Sequence, residues 1–335
     1  METLRFGIIG MGWMGQLHAE VLHQLRSTRL AAIAEIDDAR RQAMSARFGV
    51  QAYADYREML ADPEIDAVSI CVRDLDHLAP VLAAAEAGKQ IFLEKPIAAT
   101  VEDSEAIVSA ASRAGVKLMV GHLLRFDPKY RQMRDAVASG QLGDVIHLYA
   151  RRNSPRTEGP ARYRGELPLA LHVTVHDLDI ILWMLRPHKP VSVYAESVEK
   201  LLAPLGTEDS VFALIRFDTG AVAAVESSWV LPAGTPTKLD YQMEVVGTEG
   251  ASYLSGGYSG LALVSGTGIE FPDNFHQPAV GNVRMGDLRA ELEAFASAVL
   301  SGEEVPVDPR DSVDAVRLAL AIIQSARSGQ RVSLL

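Results

Sequence analysis

The chain has a single cysteine, Cys71, among 335 residues, so no intramolecular disulfide can brace it. That cysteine lies in an apolar, strand-like run, AVSICV, and reads as core. No apolar run approaches the ~18 residues of a membrane span. The start of the chain, with acidic Glu2 and an immediate strand, shows no apolar leader, and a cytoplasmic protein is the expectation. Positive charge is also scarce: 32 Lys and Arg against 43 Asp and Glu leave −11. Such a balance disfavours nucleic acid or an anionic membrane held through a general field. It does not disfavour an anionic cofactor held by local N–H groups. Fixed-period repeats and low-complexity segments are absent. What is present, 48% hydrophobic and 22% charged residues, suits a globular enzyme. The length exceeds that at which one core usually keeps growing, which predicts two domains.

The most informative run is LRFGIIGMGWMG, where Gly10, Gly12 and Gly15 stand in GxGxxG spacing between an apolar strand and a helix. The glycines serve a tight turn, close backbone approach to a pyrophosphate and helix–strand packing, and the helix N-terminus offers N–H groups to phosphates. Three glycines alone often make only a turn, but here a second apolar run, Leu30 to Ala34, ends at Glu35 about 20 residues on. An acid there accepts from ribose hydroxyls and repels a 2′-phosphate, which favours NAD over NADP. Arg40 and Arg41 keep NADP open, and a solvated strand end is the plain alternative for Glu35. Trp13 and Met14 inside the turn, Val72 at the end of DAVSICV, and Glu94 and Lys95 after the apolar run IFL are further expected cofactor contacts; His77 is either a further contact or simply a helix start.

Apolar runs alternate with helical stretches through Gly121, which indicates a parallel sheet covered on both faces. Residues 1–121 are therefore expected to form a doubly wound dinucleotide-binding domain. Beyond it, strand-like runs such as VSVYAESV, SVFALIRF and AVAAVESSWV are joined by short Gly-containing turns, with one helix, LALHVTVHDLDIILWML, among them. Residues 122–335 read as an α+β substrate domain on an open, mostly antiparallel sheet, closed by helices from about Asp287 and Asp311.

Two clusters carry chemistry. Glu94-Lys95-Pro96 follows the apolar run IFL, and ligands of a doubly wound sheet bind outside the carboxyl ends of its strands. Proline holds the preceding lysine extended, where it can point at a substrate oxygen; the alternative is one more solvated lysine. His172 and His176 lie four apart on one helix face and suit proton transfer near neutrality. Each could instead be a satisfied core histidine. They are also half of a zinc site, but no third ligand or HExxH logic accompanies them, and no metal is expected. Asp177 can orient a histidine or cap a turn. Arg125 and Arg152 are candidates for shaping the substrate pocket, or equally for structural ion pairs.

Taken together, the GxGxxG turn, Glu94-Lys95-Pro96, the segment GVKLMVGHLLRF, the HDLD helix and the late EVVGTEGA resemble the glucose-fructose oxidoreductase, inositol dehydrogenase and rhizopine-catabolism family, Gfo/Idh/MocA, over almost the entire chain. The resemblance implies a Rossmann domain followed by an open-sheet domain through which dimers or tetramers assemble. It implies reversible, NAD- or NADP-dependent hydride transfer at a carbinol carbon of a sugar, inositol or related polyol. It makes Lys95 the contact to substrate and nicotinamide ribose, and His176 the acid/base. Where many members carry an aspartate four residues before that histidine, this chain has His172, which changes how hydroxyls are held and how His176 is tuned. The competing classes are a non-catalytic dinucleotide- or sugar-sensing regulator and a reductase of a non-sugar carbonyl or unsaturated substrate.

Overall fold

A computed structural model describes residues 3–157, 159–160, 167–258, 260–266 and 268–334. The chain divides into two compact units, Met1–Phe126 with Phe275–Val313, and Asp127–Asn274 with Asp314–Leu335. The division is not the single crossing near residue 121 that the sequence suggests, because the chain returns to the first unit after leaving it.

The first unit holds a six-stranded parallel sheet in the order β3-β2-β1-β4-β5-β6. Its strands are β1 Leu4–Ile9, β2 Thr28–Ala34, β3 Gln51–Tyr53, β4 Ala67–Ile70, β5 Gln90–Leu93 and β6 Leu118–Val120. Helices α1 Trp13–Gln24, α2 Asp38–Phe48, α3 Tyr56–Leu60, α4 Leu78–Glu86 and α5 Val101–Ala114 alternate with them. The strand β3 and helix α3 are too short and too polar to stand out in the sequence. Helix ends follow local chemistry. The Thr100 side chain accepts from Asp103 N and Gly115 closes the same helix, α5, in the left-handed region.

The returning segment explains the divided unit. Helix Asp287–Ser301 places Leu288, Leu292, Phe295 and Ala296 in one buried cluster with Phe6, Phe92 and Met119 of the sheet. The Phe295 ring meets Phe6 and Phe92 edge-on, with centroids 6.1 and 5.6 Å apart. A parallel sheet needs cover on both faces, and this late helix supplies part of it.

The second unit is built on a seven-stranded sheet that includes β7 Val145–Pro155, β8 Pro190–Val198, β9 Ser210–Phe217, β10 Val222–Leu231, β11 Asp240–Gly247 and β12 Ala251–Gly256, with Val332–Ser333 at its edge. Its pairings are antiparallel except β7 with β10, which run parallel. Alternation is clean in β9: Val211, Ala213, Ile215 and Phe217 are buried, while Phe212, Leu214 and Arg216 are exposed. Helices α6 Pro128–Ala138 and Val175–Leu185 belong to this unit. They are tied to the sheet by Arg152 of β7, whose guanidinium donates to both Asp177 carboxylate oxygens at 2.9 and 3.0 Å and to Tyr130 Oη at 3.2 Å. Burial opposes the Arg152 charge, and Asp177 more than restores it. Removing one partner of such a pair costs about 3–5 kcal/mol, because the other charge is left buried.

Glu291, on the inner side of helix Asp287–Ser301, is fully buried and neither carboxyl oxygen has a hydrogen-bond partner. Burial, reinforced by the Glu94 carboxylate, holds its pKa well above the ordinary glutamate range, so the folded chain carries it as a neutral acid. The unfolded chain releases that proton above pH ~4.3. The native state therefore binds the extra proton, and stability falls as pH rises beyond that value, by up to about 1.4 kcal/mol per pH unit. Glu291→Gln is expected to raise the melting temperature more at pH 8 than at pH 5. Calorimetry at both pH values checks this, and an unchanged pH slope would argue against a protonated Glu291.

Candidate functional site

In the first unit the glycine turn has the shape that the motif requires. Gly10 has φ +89°, and a Cβ there would lie 2.8 Å from the Cys71 carbonyl oxygen. A Cβ on Gly15 would meet the Gly10 carbonyl oxygen at 2.0 Å, so α1 can lie this close to β1 only with glycine. Gly12 is the contrast: nothing stands within 4 Å of a Cβ built there, and no side chain caps the helix that starts beside it. An uncapped helix N-terminus facing open space can take a pyrophosphate. Trp13 and Met14 open the same helix, Trp13 exposed and Met14 half-buried.

Glu35 is buried at the end of β2, where its carboxylate accepts from Met11 N at 2.8 Å and Asp37 N at 2.9 Å. The plain alternative, a solvated strand end, does not describe it. Arg40 reaches the same carboxylate at 3.4 Å, and Arg41 turns to the Glu35 carbonyl and to Asp38. Both arginines are thus engaged by acids beside the turn. The donors and the open Gly12 cradle fit an NAD cofactor.

Lys95 follows β5, half-buried, and its bond to Pro96 is cis. Its neighbours are held from two sides. Glu94 Oε2 accepts from Lys95 N at 3.2 Å, while Glu94 Oε1 lies 2.9 Å from His18 Nε2. His18 is fully buried on α1, with Nδ1 2.8 Å from Ser69 Oγ. Burial opposes a charge on this ring, but the Cys71 sulfur and Glu94 carboxylate outweigh it and hold its pKa well above the ordinary histidine value. His77 is also buried, and its Nδ1–H donates to the Pro96 carbonyl at 2.8 Å. Val72 stands half-buried two residues past β4. Sequence reasoning missed His18 and Glu291. His18 is a lone polar residue among the buried apolar residues of α1, Glu291 shares its buried helix face with Asp287, and only the fold brings them near Glu94.

The second unit carries the histidine pair. The expected single α-helix is in fact a π-helix over Ala170–Thr174 that passes into an α-helix over Val175–Leu185. Such π segments occur often at functional sites, where the wider turn re-aims side chains. His172 lies in the π segment and His176 in the first α turn; both are half-buried, whereas Thr174 and Val175 between them are buried. The His172 ring centroid is 6.2 Å from that of Trp229. Asp177 serves Arg152 rather than a histidine.

Arg152 and Arg125, the two pocket candidates, are both buried in ion pairs within their own units. Arg125 Nη1 donates to Asp311 Oδ2 at 2.8 Å. Of the two readings open for each arginine, the geometry favours the structural pair.

Residues 4–122 match the family model described as an oxidoreductase family with an NAD-binding Rossmann fold, and residues 130–252 match the GFO/IDH/MocA C-terminal domain. The chain is 30% identical to D-xylose 1-dehydrogenase (NADP(+)) 2 of Haloferax volcanii, over 99% of this chain and 100% of that protein. It is 27% identical to myo-inositol 2-dehydrogenase of Thermotoga maritima, over 99% and 98% of the two chains. The fold is shared with scyllo-inositol dehydrogenase from Lactobacillus casei, solved with NAD(H) and scyllo-inositol, at a TM-score of 0.85, 22% identity and 99% coverage of each chain. With both halves of the chain matched in order and full-length likeness to the xylose enzyme, the protein belongs to the Gfo/Idh/MocA family of oxidoreductases.

Proposed function

We propose that the protein is a dehydrogenase that uses NAD to move a hydride to and from a carbinol carbon of an inositol, sugar or related polyol. The observation that carries this reading is the placement of Lys95 at the carboxyl end of β5, on the same edge of the parallel sheet as the open Gly12 cradle and the buried Glu35. A bound nicotinamide supplies the hydride acceptor. The backbone N–H groups at the start of α1 hold the pyrophosphate, and Glu35 accepts from the ribose hydroxyls. Lys95 holds the carbinol oxygen and stabilises negative charge as it develops there. His176 takes the hydroxyl proton, and in the reverse direction returns it to the carbonyl oxygen. His172 hydrogen-bonds a substrate hydroxyl where many members use a carboxylate. The likeness to enzymes named for xylose and myo-inositol supports a polyhydroxylated substrate.

Purified protein with NAD or NADP and a panel of inositols, sugars and nucleotide sugars should reduce NAD with at least one of them, read as absorbance of the reduced cofactor. Lys95→Ala should then lower kcat by about 10²–10³ while the melting temperature holds. NAD binding by calorimetry with no turnover of any member of the panel would favour a sensor instead.

No helix among the described residues is long and apolar enough to cross a membrane. A lone buried cysteine accords with a cytoplasmic setting. The outer face of the second sheet supports self-association. Tyr194, Leu214 and Tyr253 fall in one row across its registers, and all three are exposed, with Phe212 beside them. Apolar side chains arrayed in this way fit a second copy of the same face in a homodimer or homotetramer. Light scattering should report more than one chain per particle, and Leu214→Glu should shift the population toward monomer.

A further inference from the structure

Lys95 is flanked by two residues, and each is tied to a different buried histidine. On one side Glu94 accepts from Lys95 N at 3.2 Å with one carboxylate oxygen and faces His18 Nε2 at 2.9 Å with the other. His18 is itself fixed at Nδ1 by Ser69 of β4, 2.8 Å away. On the other side the Pro96 carbonyl accepts from His77 Nδ1 at 2.8 Å. His18 comes from α1 and His77 from the residue just before α4, and both rings are closed to solvent. The Glu94 carboxylate that takes the Lys95 amide on one side, and the Pro96 carbonyl on the other, are thus each held by a buried hydrogen bond that the strand itself does not supply.

We propose that His18 and His77 are positioning residues that set where the Lys95 ammonium lies at the strand edge; the consequence for catalysis rests on the role given to Lys95 above. Neither ring needs to touch substrate. Each acts through a neighbour of Lys95, by a bond from one specified ring nitrogen. A shift of about 1 Å in a positioning group can cost about 10²-fold in rate, so the bracing has a reason beyond packing.

Because the bonds come from opposite ring nitrogens, asparagine and glutamine separate positioning from bulk. The asparagine amide nitrogen stands near the place of Nδ1, and that of glutamine near Nε2. His77→Asn keeps the donor to Pro96, whereas His77→Gln loses it. His18→Gln keeps the donor to Glu94, whereas His18→Asn loses it. All four variants are read first without substrate, in reductively 13C-methylated protein, with the Lys95 resonance assigned by its loss in Lys95→Arg. The expected pattern is crossed. His77→Gln and His18→Asn move the Lys95 resonance toward that of exposed lysines and lower kcat by about 10- to 100-fold with little change in KM for NAD. The paired variants, His77→Asn and His18→Gln, restore the resonance and most of the rate.

A Lys95 resonance that stays in place in all four variants would overturn the proposal, and so would equal losses in both variants at each position, which would mark the histidines as packing. Should either His18 variant fail to melt cooperatively, the two His77 variants decide. A wild-type protein that oxidises no polyol would count against the functional reading alone, since the resonance still decides the positioning.

Discussion

The Glu94 carboxylate is the tie on which the first unit's chemical edge depends. It lies at the end of β5, reaches back to His18 on α1 and forward to the Lys95 amide, and so joins the helix of the glycine turn to the segment that carries the lysine. A carboxyl group so nearly sealed from water needs hydrogen-bond partners around it. His18 Nε2 and the Lys95 amide supply them. Burial, reinforced by that carboxyl group, holds the pKa of Glu291 well above the ordinary glutamate range.

The same late helix that carries Glu291 also explains why the first unit is not contiguous in sequence. Phe295 stacks edge-on with Phe6 and Phe92, so the chain must return after residue 274 to finish a core begun at residue 4. The packing of the sheet and the state of the buried acids are therefore properties of one interaction surface. A substitution on helix Asp287–Ser301 acts on both.

In the second unit the governing contact is Arg152 with Asp177. Two parallel hydrogen bonds to one carboxylate, a third to Tyr130 and burial of the whole cluster hold α6 and helix Val175–Leu185 to β7. This commits Asp177 away from the histidines that precede it. His172 and His176 are presented by a π-to-α transition, His172 in the π segment and His176 in the first α turn. Both imidazoles on this segment are half-buried, so each keeps a side open to solvent.

Local chemistry alone was enough for the glycine turn, the strand and helix alternation, and the identity of Lys95, His172 and His176 as chemical candidates. These features depend on neighbours within a few residues: φ > 0 at glycine, 2- and 3.6-residue periods, and hydrogen bonds of the first helical turn. The tertiary structure alone decided that Arg125 pairs with Asp311, 186 residues away, and that Glu94 meets His18, 76 residues away. It also decided that helix Asp287–Ser301 completes the first unit's core and that Ala170–Thr174 widens to a π-helix. A charge or a polar group in a sequence looks the same whether it will be solvated or buried. Its partner is chosen by which surfaces the packed strands and helices bring together, and that choice is made only when the chain folds.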